Sequence, residues 1–472
     1  MRTHSSVWEV IQGHVTWLTD RFQCPLGLAI ALCLVFGHLW RCAFMFVGLP
    51  GEVGIMFSGF LLEPFATEAA LQARGGVQES SLFVVLLLNG LDVNFTELRI
   101  SVLVVSCVPV VTEALGIAAY AHFFMGWQGV PALTLGSILC CLGEGLVGPR
   151  MMKVMKDYPA HPLPRLTFKQ VPLEVTTTLF MFGTFAGFGR EHVLFSLLYN
   201  SVSLAATILA GVLFGYVSAK LIPGLRAFKL GGKGFFSGAG EEGFLVILCF
   251  GLAMYSLGER QDGHAFLPNF VGHGCLISRD CVVLVLASAF NTFTPRDQSH
   301  QIKTIIADVW VFGSIFMFSI IGTKHDISLL AMVSPSLPVI VAGLGARVLG
   351  ITVAMISTAR ARNSPRTLKV MTCEILFAFV SCLPRASIIA ALAHIPLRRH
   401  FFDGDDDTSK KILSFAKVYI VLFSVGGTVI LNSVGPRLLE LTKNDYAGST
   451  LGASARFQRE SDRESSSSSA SC

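Results

Sequence analysis

The stretch PALTLGSILCCLGEGLVGPR, Pro131–Arg150, followed after a basic loop by VPLEVTTTLFMFGTFAGFG, Val171–Gly189, decides how this chain is read. The first segment is apolar and long enough to cross a bilayer, but Gly143-Glu144-Gly145 and Gly148-Pro149 interrupt it. Pro172-Leu173-Glu174 opens the second. A centrally placed acid in hydrocarbon costs roughly 2.5 kcal/mol or more, so an acid at a break in one span and another early in the next imply use. The expectation is an ion and proton site at the bilayer midplane, built from Glu144 and Glu174 together with Arg347 and Arg385 from a matching second half.

Composition sets the class. The chain has 472 residues, 52% of them hydrophobic and 14% charged, and its mean hydropathy is +0.63. Soluble domains carry about 25% charged residues, so this is a polytopic membrane protein. The net charge of +5 reads as asymmetry between loops, and no basic, aromatic-interleaved patch argues for nucleic acid. The 12 cysteines lie mostly inside apolar spans, without a CxxC pair or a histidine at metal spacing, and read as packing rather than as metal or disulfide chemistry. No pairing of nucleophile and base and no Gly-rich phosphate loop points to an enzyme, and no cofactor is implied.

Apolar segments fall near 26–44, 50–65, 80–96, 102–125, 130–152, 170–189, 193–219, 240–257, 272–292, 304–323, 335–359, 370–396 and 412–436, about thirteen transmembrane helices in an all-α protein. If these alternate, one set of loops carries about twice the Lys and Arg of the other and is cytosolic, with an outside N-terminus and a cytosolic C-terminus. Residues 1–25 lack the apolar core of a signal peptide and read as an interfacial segment. The membrane domain is expected over 26–436, and 437–472 as a disordered Ser-rich tail. The fifth segment breaks at Gly143, Gly145 and Pro149, the twelfth, seven places further along, at Pro384-Arg385. Two breaks entering from opposite sides are the sequence pointer to a transporter site, because freed backbone groups and half-helix ends meet at the midplane.

Each residue has a bland reading beside the sharp one. Glu174 is the candidate carrier, a carboxylate that takes a proton or a dehydrated cation in turn; its plain alternative is an interfacial acid at a helix start just after Pro172. Thr176 and Thr177 offer hydroxyl ligands, although threonine is ordinary in membrane helices. Arg347 lies mid-span and cannot snorkel, so it needs a carboxylate, and mid-span Glu113 is the natural partner, as catalytic pair or as structural lock. Glu144 either coordinates the ion beside Glu174 or accepts from amides freed by the break. Arg385 is a fixed positive charge where half-helix ends meet. Arg279-Asp280 reads as a local ion pair at a span edge, and the glycosylation triplet Asn94-Phe95-Thr96 falls on the cytosolic side and is discounted.

Several segments carry a family resemblance. Gly48-Leu49-Pro50-Gly51-Glu52-Val53-Gly54 running into Ser58-Gly59 and Glu63-Pro64, Asn89-Gly90-Leu91-Asp92 with Glu97-Leu98-Arg99, Val309-Trp310 to Phe318 with Ile321-Gly322 and Asp326, and above all Glu374-Ile375-Leu376-Phe377 to Leu383-Pro384-Arg385-Ala386-Ser387 resemble elements of the monovalent cation:proton antiporter superfamily, most closely its NHA sodium/proton exchanger branch. Together they cover about residues 26–436.

The resemblance implies the sodium/proton antiporter fold, with inverted repeats and two crossed discontinuous helices. It also implies a homodimer with interleaved dimerisation and core subdomains, elevator-like alternating access, and a role in pH homeostasis. It maps Glu174 onto the family's acidic dyad, Glu144 onto the first break, Arg347 onto the basic residue of the core helix, Glu113 onto its acidic partner, and Arg385 onto the lysine of the second break. The chain departs from the pattern at Leu173-Glu174-Val175, one acid where the family has a two-residue dyad, and at Gly143-Glu144. The implied activity is exchange of Na⁺ or Li⁺, with K⁺ left open, for H⁺, with Glu174 a transient metal ligand, in a plasma or organelle membrane; Arg347, which unlike a lysine cannot give up its proton, favours electroneutral exchange. A sodium-coupled organic-anion symporter of related fold and a non-transporting sensor that keeps the fold are the rival readings.

Overall fold

The computed structural model describes residues 26–49, 51–62, 68–187, 193–227, 229–230, 233–234, 239–257, 277–323, 329–362, 364, 367–398, 401–402 and 405–446. The expected interfacial segment at 1–25 and the Ser-rich stretch from 447 onward lie outside the described residues.

The chain is a succession of helices: α1 (Leu26–Phe46), α2 (Gly51–Leu62), α3 (Glu68–Leu91), α4 (Ile100–Met125), α5 (Gly129–Leu139), α6 (Glu144–Asp157), α7 (Pro162–Gly187), α8 (Val193–Ala227), α9 (Ala239–Leu257), α10 (Arg279–Phe293), α11 (Arg296–Gly322), α12 (Leu329–Thr358), α13 (Leu368–Ser381), α14 (Ser387–Leu392), the short α15 (Ile395–Arg398), α16 (Asp406–Leu422) and α17 (428–446). A two-residue antiparallel pairing of Lys229–Leu230 with Lys233–Gly234 is the β-structure among the described residues. Among those residues, seven helical segments are long and apolar enough to cross a membrane, and shorter apolar helices accompany them. Helical spans are the expected solution in lipid, where each backbone group needs an internal partner.

Local differences from the sequence reading have local causes. Helix α7 begins at Pro162, well before Pro172, because a proline fits the first helical position without losing a bond; Pro172 then lies inside the helix. Glu174 is therefore mid-helix and fully buried, which removes its reading as an acid at a helix start. The helical register after α16 passes through a π turn, Phe423–Gly427, and α17 continues to Tyr446, so 437–446 belong to the helix rather than to the tail. Asn94 accepts from the Thr96 amide at 3.0 Å and caps a 3-10 turn, Phe95–Glu97. Arg279 and Asp280 form the expected local pair at 3.8 Å, with Glu79 3.5 Å from Arg279.

Helices α4 and α12 form the seam that positions the site. A Cβ on Gly116 would collide with Ala346, and one on Gly350 with Thr112, so the two backbones approach closely only because these positions are glycine. Rising numbers on α4 meet falling numbers on α12, so the helices are antiparallel, with Glu113 and Arg347 facing each other between the two glycine contacts.

Candidate functional site

Two non-helical breaks meet at the centre of the molecule. The first, Cys140 to Gly143, separates α5 from α6; the second, Cys382 to Ala386, separates α13 from α14. The Gly143 amide donates to the Pro384 carbonyl oxygen at 2.8 Å, which supplies partners to backbone groups that an interrupted helix leaves unpaired. A Cβ on Gly143 would stand 3.0 Å from the Ala386 nitrogen and 3.1 Å from the Arg385 Cα. Gly143 and Pro384 lie in the breaks as expected. Gly145 and Pro149 do not: both lie inside α6, because the interruption is one turn upstream, where the cross-segment bond replaces helical ones. The π turn closes the site from a third side, with Gly427 about 2.7 Å, by its absent Cβ, from Leu383. Such turns recur at functional positions in membrane and soluble helices alike.

Four charged side chains occupy the crossing. Arg347 from α12 reaches Glu113 of α4 through Nη1 at 2.6 Å and Glu174 of α7 through Nη2 at 2.5 Å. Its Nη1 also donates to the Cys140 carbonyl oxygen, at 2.9 Å, in the first break. Arg385, in the second break, lies 2.7 Å from the other oxygen of Glu113 and donates to the Leu139 carbonyl oxygen at the end of α5. Its guanidinium also stands over the rings of Phe423 and Tyr419, at 5.3 and 5.8 Å from their centroids. None of the four is more than 1% exposed, so solvent does not screen them and each charge depends on the others.

Glu144 is buried in the first turn of α6, at the positive end of that half-helix, where a carboxylate is stabilised. The hydroxyls of Thr176 and Thr177 accompany Glu174 along α7 but donate to the Pro172 and Leu173 carbonyl oxygens, at 2.9 and 2.8 Å; they serve the helix backbone, and Thr177 also meets the Cys107 thiol at 3.3 Å.

No family model matches the chain. Among curated proteins, it is similar to sodium/hydrogen exchanger 9B1 of Macaca fascicularis, 23% identical over 406 residues that make up 83% of this chain and 73% of the relative. Sodium/hydrogen exchanger 9B2 of Mus musculus is 23% identical over 436 residues, 87% of this chain and 72% of that one. Among solved structures, the sodium proton antiporter MjNhaP1 of Methanocaldococcus jannaschii superposes with a TM-score of 0.66, covering 88% of this chain and 97% of the antiporter at 17% identity. These likenesses run over most of the chain, and its fold is that of a sodium proton antiporter.

The site also includes residues without a strong local sequence signal. Gln170, one helical turn before Glu174, donates to the Glu174 carboxylate from Nε2. The spacing i to i+4 of two polar residues in an apolar helix was the available signal. Cys382 in the second break lies 3.7 Å from both the Glu174 carboxylate and Gln170, and Cys140 lies 3.8 Å from Thr178, so two thiols read as packing belong to the lining of the crossing. The Glu113–Arg385 pair, at 2.7 Å, gives each of these residues a second role beyond the one its sequence position suggests.

Proposed function

We propose that this chain exchanges a monovalent cation for protons across a membrane, with Glu174 as the group that takes the cation and the proton in turn. The observation that carries the reading is the burial of Glu174 beside both helix breaks, held by Arg347. A carboxylate there is occupied by an arginine, a proton or a dehydrated cation, and these compete. Arg347 keeps Glu113 as a partner when a cation takes its place at Glu174, so its charge stays compensated through the exchange. Cys140 and Leu139 carbonyl oxygens, exposed by the first break, supply further oxygen to the same region.

Two acids and two arginines sum to zero when all are ionised. With either one proton or one bound cation at Glu174 the site carries the same total charge, +1, so one-for-one exchange moves no net charge, which supports electroneutral exchange of Na⁺ or Li⁺, with K⁺ as a further candidate. The names of the curated relatives support sodium as the cation. The same reading takes the chain as a homodimer that moves its core subdomain against a dimerisation subdomain, in the NHA manner, with the C-terminus in the cytosol. Glu144 is assigned to the half-helix end, next to the ion path.

Proteoliposomes loaded with a pH-sensitive dye test the proposal. Wild type is expected to move protons against an imposed Na⁺ or Li⁺ gradient, and Glu174→Gln to abolish that flux with folding retained. Full flux in Glu174→Gln removes Glu174 from the mechanism.

A further inference from the structure

Away from the crossing, a cavity of about 430 Å³ opens between the start of α4, the start of α7, the end of α12 and the end of α17. Its lining includes Arg99, Arg165, Lys169 and Arg362, with Ser101 and Tyr446, and contains no carboxylate among the described residues. Arg362 is compensated by Glu374 at 2.9 Å. Arg99 and Arg165 have neither a hydrogen bond nor an ion pair from their side chains among the described residues, and both are exposed. Arg165 and Lys169 are one turn apart on α7, so their heads rise on the same side of that helix. A concave site of ligand size in which Arg99 and Arg165 have no side-chain partner among the described residues, with further cations beside them that have partners of their own, suits a multiply charged anion.

The surroundings indicate where the anion comes from. Ile100, next to Arg99, is 80% exposed, Leu103 is 41% exposed, and Leu368 at the start of α13 is 84% exposed. Large exposed side chains of this kind on the helices of a membrane protein face acyl chains. The cavity therefore sits where the apolar belt ends and the basic loop set begins. Basic pockets between helix ends at that level suit phosphorylated lipid headgroups.

The geometry points to a phosphate-binding site in this cavity that takes the headgroup of an anionic phospholipid, with Arg99 and Arg165 as the two phosphate ligands and Lys169 beside them. The acyl chains lie along the exposed face of α4 at Ile100 and Leu103. Neither arginine touches the Glu113–Arg347–Glu174 network, so the site stands whether or not the exchange reaction is as proposed.

The experiment uses the full chain, purified and reconstituted in nanodiscs, with a short-chain phosphatidylinositol bisphosphate as probe and phosphatidylcholine as control. Binding is expected for the phosphorylated lipid and not for the control. Each basic residue near a membrane surface contributes about fivefold, so Arg99→Gln and Arg165→Gln should each weaken binding about fivefold and the double variant about 25-fold. Arg165→Lys should retain most of it, and Lys411→Gln, outside the cavity, all of it. Melting temperature and elution profile report folding; if the double variant does not fold, the single variants and Arg165→Lys decide. Soluble inositol trisphosphate added as competitor separates the sources. Poor competition supports a lipid headgroup, and full displacement at similar concentration supports a free phosphate in the same site. Unchanged binding in folded variants, or equal retention of phosphatidylcholine, overturns the proposal. So does a result in which only a phosphorylated peptide of residues 447–472 binds and no lipid does.

Discussion

The Gly143 amide donates to the Pro384 carbonyl oxygen across 2.8 Å, joining two breaks that are 241 residues apart in sequence (384 − 143). Gly143 has no Cβ, and the space where one would stand is already within 3.0 to 3.2 Å of the Arg385–Ala386 backbone. A backbone neighbour cannot yield as a flexible side chain can. Gly143→Val is therefore expected to destabilise the protein by about 1–3 kcal/mol, the usual range for overpacking, and to cut cation-driven proton flux by more than tenfold. Gly145→Ala is the contrast. Its Cβ would meet Trp310 and Phe318 at 3.5 and 3.6 Å, ordinary contact distances, and alanine improves helix propensity by about 1 kcal/mol. Thermal unfolding of the two variants should move in opposite directions; parallel losses would show that the crossing does not set the requirement for glycine.

Arg347 and Glu113 do not form an isolated pair, since Arg347 also holds Glu174 and Glu113 also faces Arg385. Exchanging the charges of Glu113 and Arg347 would thus set a new acid against Glu174 and a new arginine against Arg385, and rescue is not expected. The informative cycle neutralises instead. Arg347→Met alone should cost about 3–5 kcal/mol, the range for breaking a buried pair, because two carboxylates are left with one arginine. Adding Glu113→Gln restores one acid to one arginine and should recover part of that loss. Strict additivity in denaturation measurements would mean that the two residues are energetically independent.

Much of this site is legible in the chain because burying charge in lipid is expensive, so Glu113, Glu174, Arg347 and Arg385 stand out against apolar neighbours. Their mutual contacts are less legible. Sequence gives Arg347 a need for an acid but not the number of acids it takes, and the second contact, to Glu174, depends on how α7 packs against α4 beside the Arg347 side chain. Pro149 misled for a related reason: it is a strong local breaker, yet the interruption sits where a long-range backbone bond compensates it. Pro172 misled in the opposite sense, by sitting inside a helix whose true start is another proline ten residues earlier. Gln170 carried a spacing signal that was visible and unused.

Glu374 illustrates a buried acid that belongs to anchoring rather than to the crossing. It receives the Tyr446 hydroxyl, the Ser364 hydroxyl at 2.5 Å and Arg362 at 2.9 Å. Tyr446 is at the end of α17, so this cluster fastens the last described helix to α13. Hydrogen bonds to a charged group contribute about 1.5–3 kcal/mol; Tyr446→Phe should lower stability by an amount in that range and increase amide exchange over 438–446. Exchange that stays at wild-type rates in this variant would remove Tyr446 as the anchor.

His161 gives the same end of the molecule a dependence on pH. Its Nδ1 accepts from the Leu163 amide at 3.4 Å, which leaves Nε2 to donate to the Thr442 hydroxyl at 3.0 Å, and its ring packs 4.6 Å from that of Tyr446. This is the neutral tautomer, and protonation at Nδ1 would end the first bond. Burial pushes the imidazole down from 6.5 to about 4, with the charge of Glu374 acting in the opposite direction. In the unfolded chain the ring takes its proton near 6.5, so between that pH and about 4 the unfolded state binds more protons than the folded one. Stability from this residue is complete above 6.5 and declines as pH falls through the window. Amide protection over 438–446, corrected for intrinsic exchange, is expected to drop between pH 7 and pH 5 in wild type. His161→Gln, which cannot take a proton, should show a flatter slope over the same interval. Identical slopes in the two proteins would assign the pH response to groups other than His161.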